Sequence, residues 1–361
     1  MLEEDTSQAM PQAGNDQWVQ RWHPLLREWV IYSAHRQDRP WTGETIRQAD
    51  VELPDHDPSC YLCAGNRRVG GAVNPDYQGV FVFDNDRPSI SLDAPLDLQS
   101  PPGIYRNMPA TGISRVLCYS PQHSVSMSEM SELQILDVVK QWQLQTQELS
   151  SHSQVRSVCI FENKGAMCGM SNPHPHGQIY GTNFVYKTTE SHLMAAKEHH
   201  QKTGQILFQD ILAAETDEVP ERQRIVVQND TMVAFVPYFA RFAFEVYIAP
   251  RRTVAGFSLL NEKESTDLAS ILREVLVRMD NLWEMPFPYL MMLHQAPVDD
   301  NEYPLFHSYI GIYPPLRTPA LRKYVAAHEI GGGNFLADTM PEVKAAELRA
   351  CSTTHYSQNN T

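Results

Sequence analysis

The tightest constraint on the fold is an order of elements that occurs twice. Val80–Asn85 and Arg115–Ser120 read as strands, a helix-period segment follows, and Val155–Asn163 and Gln178–Tyr186 read as strands again. About 130 residues further on the order recurs, with strands at Met232–Pro237 and Phe244–Pro250, a helix over Asn261–Trp283, and strands at Tyr289–His294 and Ser308–Tyr313. Two strand–strand–helix–strand–strand units predict a duplicated α+β fold, an antiparallel sheet with flanking helices. The chain then divides into a disordered lead-in over 1–20, a first half over 21–190, a helical connection over 191–218, a second half over 219–352 and a frayed tail over 353–361.

Local signals fill in the halves. The first ~75 residues are rich in Pro, Arg and Trp and read as a loop-dominated wrapping. Ser126-Met127-Ser128-Glu129 resembles a capping box, and a helix from there to Leu149 carries the stripe Leu133, Leu136, Val139 and Trp142. The second helix carries Leu268, Ile271, Leu272, Val275 and Met279 on one face. Glu342 to Arg349 reads as a surface helix of mixed charge.

Composition narrows the function. The chain has 361 residues, with 29 basic against 43 acidic side chains and a net charge of -14. No general nucleic-acid binder is expected from that balance, because phosphate backbones need an excess of Lys and Arg. An anionic small substrate stays compatible, since local cations overrule net charge. No apolar run approaches the ~18 residues of a membrane span, and the N-terminus lacks the basic and apolar regions of a secretory signal. Six cysteines, only two of them in a CxxC, suit a reducing cytoplasm better than a disulfide framework.

The chemistry concentrates in Asn163-Lys-Gly-Ala-Met-Cys-Gly-Met-Ser-Asn-Pro-His-Pro-His-Gly-Gln178. Gly165, Gly169 and Gly177 let the backbone take positive φ and approach a ligand, and exposed amides in such a loop can cradle phosphate. His174 and His176 are expected to face opposite sides, one toward a metal and one toward substrate. His176 is the candidate nucleophile, because a neutral imidazole attacks phosphorus near pH 7 without a separate base. A backbone carbonyl on its other nitrogen would fix the tautomer. Gln178 can donate a hydrogen bond to a phosphoryl oxygen and cannot serve as a general acid, which favours transfer to another phosphate over hydrolysis. Cys60-Tyr-Leu-Cys63 offers two thiolates at a zinc spacing, with His123 and His174 available to complete a tetrahedral set.

Several stretches, in one order, resemble the galactose-1-phosphate uridylyltransferase family of the histidine-triad superfamily. They run from Trp22 to Arg349 and include Ala34-His-Arg-Gln-Asp-Arg-Pro-Trp41, His56-Asp-Pro-Ser-Cys-Tyr-Leu-Cys-Ala-Gly-Asn66, Ser114-Arg-Val-Leu-Cys-Tyr-Ser-Pro-Gln-His123, Ser171-Asn-Pro-His-Pro-His-Gly-Gln178 and Tyr313-Pro-Pro-Leu-Arg317. The resemblance implies that each half is one histidine-triad unit and that UMP passes from UDP-glucose to a hexose-1-phosphate by a ping-pong route through uridylyl-His176, assisted by Gln178. It implies a structural zinc on Cys60, Cys63, His123 and His174. It assigns Arg36, Arg39, Tyr61, Val69, Phe83, Asn85, Asp86, Val116, Asn163, Gly169 and Ser171 to the nucleotide and its phosphates, and Lys323 and Glu329 to the sugar phosphate. It also implies a homodimer with shared active sites.

The chain departs from the family in two places. Some members hold a second metal on a Glu and three His; here those positions carry His192, His294, Tyr309 and Gly311, with His307 nearby, so that site is expected to be lost or rebuilt. At the sugar end, His328 replaces a family Tyr beside a glycine run at Gly331–Gly333. Two further readings follow: a related nucleotidyltransferase or ADP-sugar phosphorylase with another acceptor, or a catalytically silent, zinc-stabilised nucleotide-binding protein. The Asn85-Asp86 pair favours uracil, whose edge offers both N–H and carbonyl groups.

Overall fold

The computed structural model describes residues 18–34, 36, 53–216, 219 and 222–358. A hairpin of β1 (Val19–His23) and β2 (Glu28–Tyr32) opens the described chain. Then come β3 (Phe81–Asp84), β4 (Gly112–Cys118), helix α1 (Glu132–Ser150), β5 (Ser157–Lys164) and β6 (His176–Thr182). Helices α2 (Lys187–Thr203) and α3 (Leu207–Thr216) follow. The second half runs β7 (Ile225–Gln228), β8 (Met232–Phe235), β9 (Val246–Pro250), α4 (Glu262–Asn281), β10 (Tyr289–His294) and β11 (Tyr309–Tyr313). A closing segment adds the β12 (Leu316–Thr318) and β13 (Leu321–Arg322) ribbon, α5 (Ala327–Gly332), β14 (Leu336–Ala337) and α6 (Pro341–Ala350).

Nine strands form one antiparallel sheet in the order β3-β4-β6-β5-β10-β11-β9-β8-β7. Outward from the β5–β10 seam the order is the same on both sides, so the duplication is physical. Phe161 faces Met292 across the seam. Phe161 also faces Gln178 on β6, as Met292 faces Gly311 on β11. In the next strands out, Val116 faces Gln178 and Tyr247 faces Gly311. This register makes His176 correspond to Tyr309, Gln178 to Gly311, Asn163 to His294 and Glu162 to Leu293.

Directly opposed residues of antiparallel strands share a face. One face carries Leu117, Ile160, Ile179, Met291 and Leu293 and packs against Trp142 of α1 and Leu268, Leu272 and Val275 of α4 in the main core. Burying such side chains supplies about 1.5–3 kcal/mol each. The other face differs between halves. In the second half it is filled by Tyr247, Tyr309 and Phe208 beneath α2 and α3. In the first half it carries Val116, Cys118, Phe81 and Phe83 beside the Cys60–Cys63 segment. That part of the sheet opens into a pocket.

Several boundaries differ from expectation. Val19 and Gln20, placed in the lead-in, already belong to β1, and β2 pairs in parallel with β14, so sheet pairing orders the Trp-rich region. Helix α1 is capped by Ser131, whose side chain and Gln134 form a reciprocal box, while Ser126 and Glu129 close only a turn. Of the expected stripe Val139 and Trp142 are buried but Leu133 is exposed, and Ile135 and Val138 take part in the core instead. The fourth strand stops at Thr182 because Tyr186 already caps α2. Far from fraying, the tail docks His355 against Asp280 of α4. Helix α6 is not all surface, since it buries Ala345 and Leu348.

Candidate active site

His123, His174, Cys60 and Cys63 converge beside β4 and β6 although they are distant in sequence. Their four ligand atoms lie within 4.8 Å of one another, and all four residues are buried. The Cys63 Sγ is 3.5 Å from the Nδ1 of His123 and 3.5 Å from that of His174. A tetrahedral zinc with bonds of about 2.3 Å to sulfur and 2.0 Å to nitrogen sets that edge at about 3.5 Å. His174 Nε2 sits 3.0 Å from the Ser120 carbonyl, with the Tyr77 hydroxyl at 3.3 Å. Donation to that carbonyl leaves the Nδ1 lone pair aimed at the cluster. Burial pushes the His174 pKa down to about 4, keeping the ring in its neutral, ligating form. The donor set therefore fits one metal ion.

The two histidines do have different surroundings, though not because they alternate. Residues two apart in a strand share a face. The split arises because His174 precedes β6, in the Pro173–Pro175 turn, while His176 is the strand's first residue. His176 Nδ1 lies 2.8 Å from the His174 carbonyl, so Nδ1–H donates and Nε2 keeps its lone pair. Burial lowers the His176 pKa below the ordinary histidine value. His174 thus joins the cluster to the candidate nucleophile, its ring facing one and its carbonyl holding the other.

His176 opens into a pocket lined also by Tyr61, Leu62, Val69, Phe83, Asn85, Asp86, Arg87, Val116, Ser171 and Gln178. Gln178 Oε1 accepts from the Tyr180 hydroxyl at 3.2 Å, which leaves its NH2 group as donor. Asn85 Oδ1 accepts from the Arg87 amide, and Asp86 from the Gly70 amide at 3.1 Å. Arg68 lies over the Phe83 ring at 4.3 Å and reaches Asp86 at 3.7 Å, stiffening the same wall. Arg87 and Leu62 were not anticipated. No motif marks Arg87, whereas its place directly after Asn85-Asp86 was a signal.

The remaining expected residues fall elsewhere. Asn163 shares the face of Phe161 and Gln178, at the end of β5 and outside the pocket lining. Gly165 and Gly169 take φ of 91° and 79°, but the amides of Cys168, Gly169 and Met170 donate to the Gly165 and Ala166 carbonyls, so they form no phosphate cradle. Gly177 lies in β6 and is not among the positive-φ glycines; its role is close approach, since a Cβ there would lie 2.5 Å from the Tyr119 hydroxyl. Arg36 pairs with Asp338 at 3.4 Å, and Arg39 lies outside the described residues. Lys323 donates to Glu329 at 2.7 Å and to the Leu336 carbonyl at 2.6 Å, and Glu329 also accepts from the Ala326 and Leu336 amides. This pair is spent on its own chain, holding α5 and β14, and does not reach the His176 pocket.

The second-half positions do not fit a metal. Among the described residues no further group of three ligand side chains converges. His294 Nε2 is held at 2.7 Å by the Tyr313 hydroxyl, and that hydroxyl fills the space a side chain at Gly311 would need. His307 Nε2 faces the Pro250 carbonyl at 2.9 Å.

An imidazole whose Nε2 keeps its lone pair, an amide donor and a cleft, all on one half of a duplicated sheet, suit a transferase. The chain belongs to the galactose-1-phosphate uridyl transferase family: that family's N-terminal domain model matches residues 10–186 and its C-terminal domain model residues 190–360. A galactose-1-phosphate uridylyltransferase of Haemophilus influenzae is 38% identical, over 94% of this chain and 95% of its own. One from Rattus norvegicus is 36% identical over 98% and 93%. A solved uridylyltransferase superposes with a TM-score of 0.73 at 30% identity, covering 86% of this chain and 96% of that one. An ADP-glucose phosphorylase of Arabidopsis thaliana shares the fold, with a TM-score of 0.74 at 24% identity over 93% and 99%.

Proposed function

We propose that this uridylyltransferase moves UMP from UDP-glucose to galactose-1-phosphate through a covalent uridylyl-His176 intermediate. The observation that carries the reading is the His174 carbonyl at 2.8 Å from His176 Nδ1, which aims a neutral Nε2 into the pocket. In the first step Nε2 bonds to the α-phosphorus, the α–β bridging P–O bond breaks, and glucose-1-phosphate leaves with the electron pair. In the second step a phosphate oxygen of galactose-1-phosphate attacks the same phosphorus and the P–N bond breaks, giving UDP-galactose and free His176. Gln178 NH2 is the donor to the non-bridging oxygens as charge builds there. Both oxygens that enter or leave are already phosphate anions, so an amide suffices where a hydrolase would need an acid.

Zinc is the metal we assign to Cys60, Cys63, His123 and His174, where it would fix the turn that presents His176. Thiolate ligands favour a reducing compartment, in keeping with a cytoplasmic enzyme. The homodimer with shared sites is supported by two features. Lys323 and Glu329, at the expected sugar end, lie on the β14 side and not at the pocket of their own chain. Leu96, Ile104, Tyr105 and Met108, in the segment after the pocket's Arg87, and Trp18 near the hairpin are exposed, as apolar interface residues are before association.

Intact-protein mass after brief incubation with UDP-glucose tests the mechanism. The parent protein should gain one UMP, His176→Gly should gain none, and galactose-1-phosphate should discharge the adduct. An adduct that only other sugar phosphates or inorganic phosphate discharge would overturn the acceptor. Absence of any adduct would overturn the covalent route.

A further inference from the structure

Glu162 is a buried carboxyl that the transfer chemistry leaves without a role. It lies on β5 next to Asn163, 5% exposed, on the helix-covered face opposite the pocket. Its Oε2 accepts from the Tyr289 hydroxyl of β10 at 3.1 Å, and the Tyr119 hydroxyl is its second donor. Tyr119, just after β4, in turn packs against the start of the strand that carries His176. Its backbone amide donates to the Pro175 carbonyl at 3.3 Å, and its hydroxyl sits where a side chain at Gly177 would be. The carboxyl therefore fixes a phenol that packs directly against Gly177, between His176 and Gln178.

The duplication supplies an internal control. In the second half, where Tyr309 stands for the nucleophile, Leu293 takes the place of Glu162, Pro250 that of Tyr119 and Ile310 that of Gly177. That half folds the same strands around an apolar side chain. An ionisable group buried in such a core costs free energy unless it is fully partnered. The fold does not need it there, so its use lies with the site above it.

We propose that Glu162 is a positioning residue for uridylyl transfer, acting through Tyr119 to hold the His176–Gly177–Gln178 backbone in the attacking geometry. This rests on the transfer reading of His176. The ionised carboxylate accepts from both phenols at once, whereas the protonated acid must turn one oxygen into a donor and loosens one of them. The groups facing it are Tyr119 after β4, Lys164 on β5, Tyr289 on β10, Asp280 on α4 and Cys168 in the glycine loop. Burial is the dominant influence, pushing the Glu162 pKa up to about 7.

The test uses Glu162→Gln and Tyr119→Phe in the full-length, zinc-loaded protein. The measurement is the single-turnover rate of His176 uridylylation against UDP-glucose concentration and pH. Glu162→Gln should slow labelling about 10–100-fold at saturation, the scale of a sub-ångström misplacement, with the half-saturating UDP-glucose concentration within about threefold of the parent's. Tyr119→Phe should act in the same direction, and the double variant should be little slower than Glu162→Gln alone, because both break one linkage. The parent's rate should rise with pH through about 7, and that step should vanish in Glu162→Gln. Equal rates and an unchanged pH profile in both variants, with the parent labelling normally, would overturn the proposal while leaving the transfer reading intact. A parent that does not label would overturn the transfer reading itself. Should Glu162→Gln fail to fold, Tyr119→Phe decides alone.

Discussion

Gly177 has no room for even a methyl group. A Cβ would meet the Tyr119 hydroxyl at 2.5 Å and the Phe161 carbonyl at 3.2 Å, and the latter is backbone that cannot swing aside. Gly177→Ala should therefore cost about 1–3 kcal/mol of overpacking and slow uridylylation by more than tenfold, read by thermal melting and adduct mass. Adding Tyr119→Phe should return part of the stability and little of the rate. Glu162 gives a second prediction, of opposite sign to the usual carboxylate. Its folded pKa is raised from the ordinary 4.5 to about 7 by burial, so between those values the folded state holds a proton that the unfolded state has lost. Stability owed to this group falls as pH rises through that window and is level above it. Melting temperatures of Glu162→Gln relative to the parent should climb from pH 4.5 to pH 7 and then stay constant; a flat difference would contradict the raised pKa. At this scale the residues that line the pocket and form the Cys/His cluster were legible in part, because His-Pro-His-Gly-Gln and Cys-x-x-Cys are local. Glu162 was not, since its burial depends on strands far away in sequence.

An element carries meaning through what its neighbours hold in place. The turn before β6 is anchored at His174 by the Ser120 carbonyl, the Tyr77 hydroxyl and the convergent thiols. Stripping the metal should release that turn and with it the carbonyl that orients His176. Chelation should slow uridylylation by about 10–100-fold, the range seen when support around a metal ligand is lost, and zinc should restore it. Elemental analysis should return one zinc per chain and none for Cys63→Ser; two per chain would contradict the closed packing of His294, Tyr309 and Tyr313 in the second half. Periodicity identified the second-half helix well, since Leu268, Ile271, Leu272, Val275 and Met279 are all buried. It misjudged the first because two cap-like serines lie five residues apart and only Ser131 has a Gln placed to close the box.

At the scale of the whole molecule, the sheet face turned away from α1 and α4 holds a pocket in the first half and is filled in the second. The repeat was legible as an element order, but the filling was not: it depends on Phe208 of α3 stacking against Tyr309 and His307 across the connection between halves. The sugar-end residues present the converse case. Sequence placed Lys323 and Glu329 in the site, yet in one chain they form a buried pair beside β14. A site completed by a second protomer reconciles the two, and it makes a quantitative prediction. His176→Gly lacks the proposed nucleophile, and Lys323→Ala lacks the cation that secures the α5–β14 segment. If each site draws on both protomers, a mixed dimer holds one site with both defects and one with neither. Random pairing makes half of all dimers mixed, so equal co-expression should restore about one quarter of parental turnover per site. Two inactive homodimers mixed without exchange should restore none. A self-contained site in each chain would leave the co-expressed mixture as inactive as its components, and melting curves of the Lys323→Ala homodimer would tell that outcome from a failure to fold.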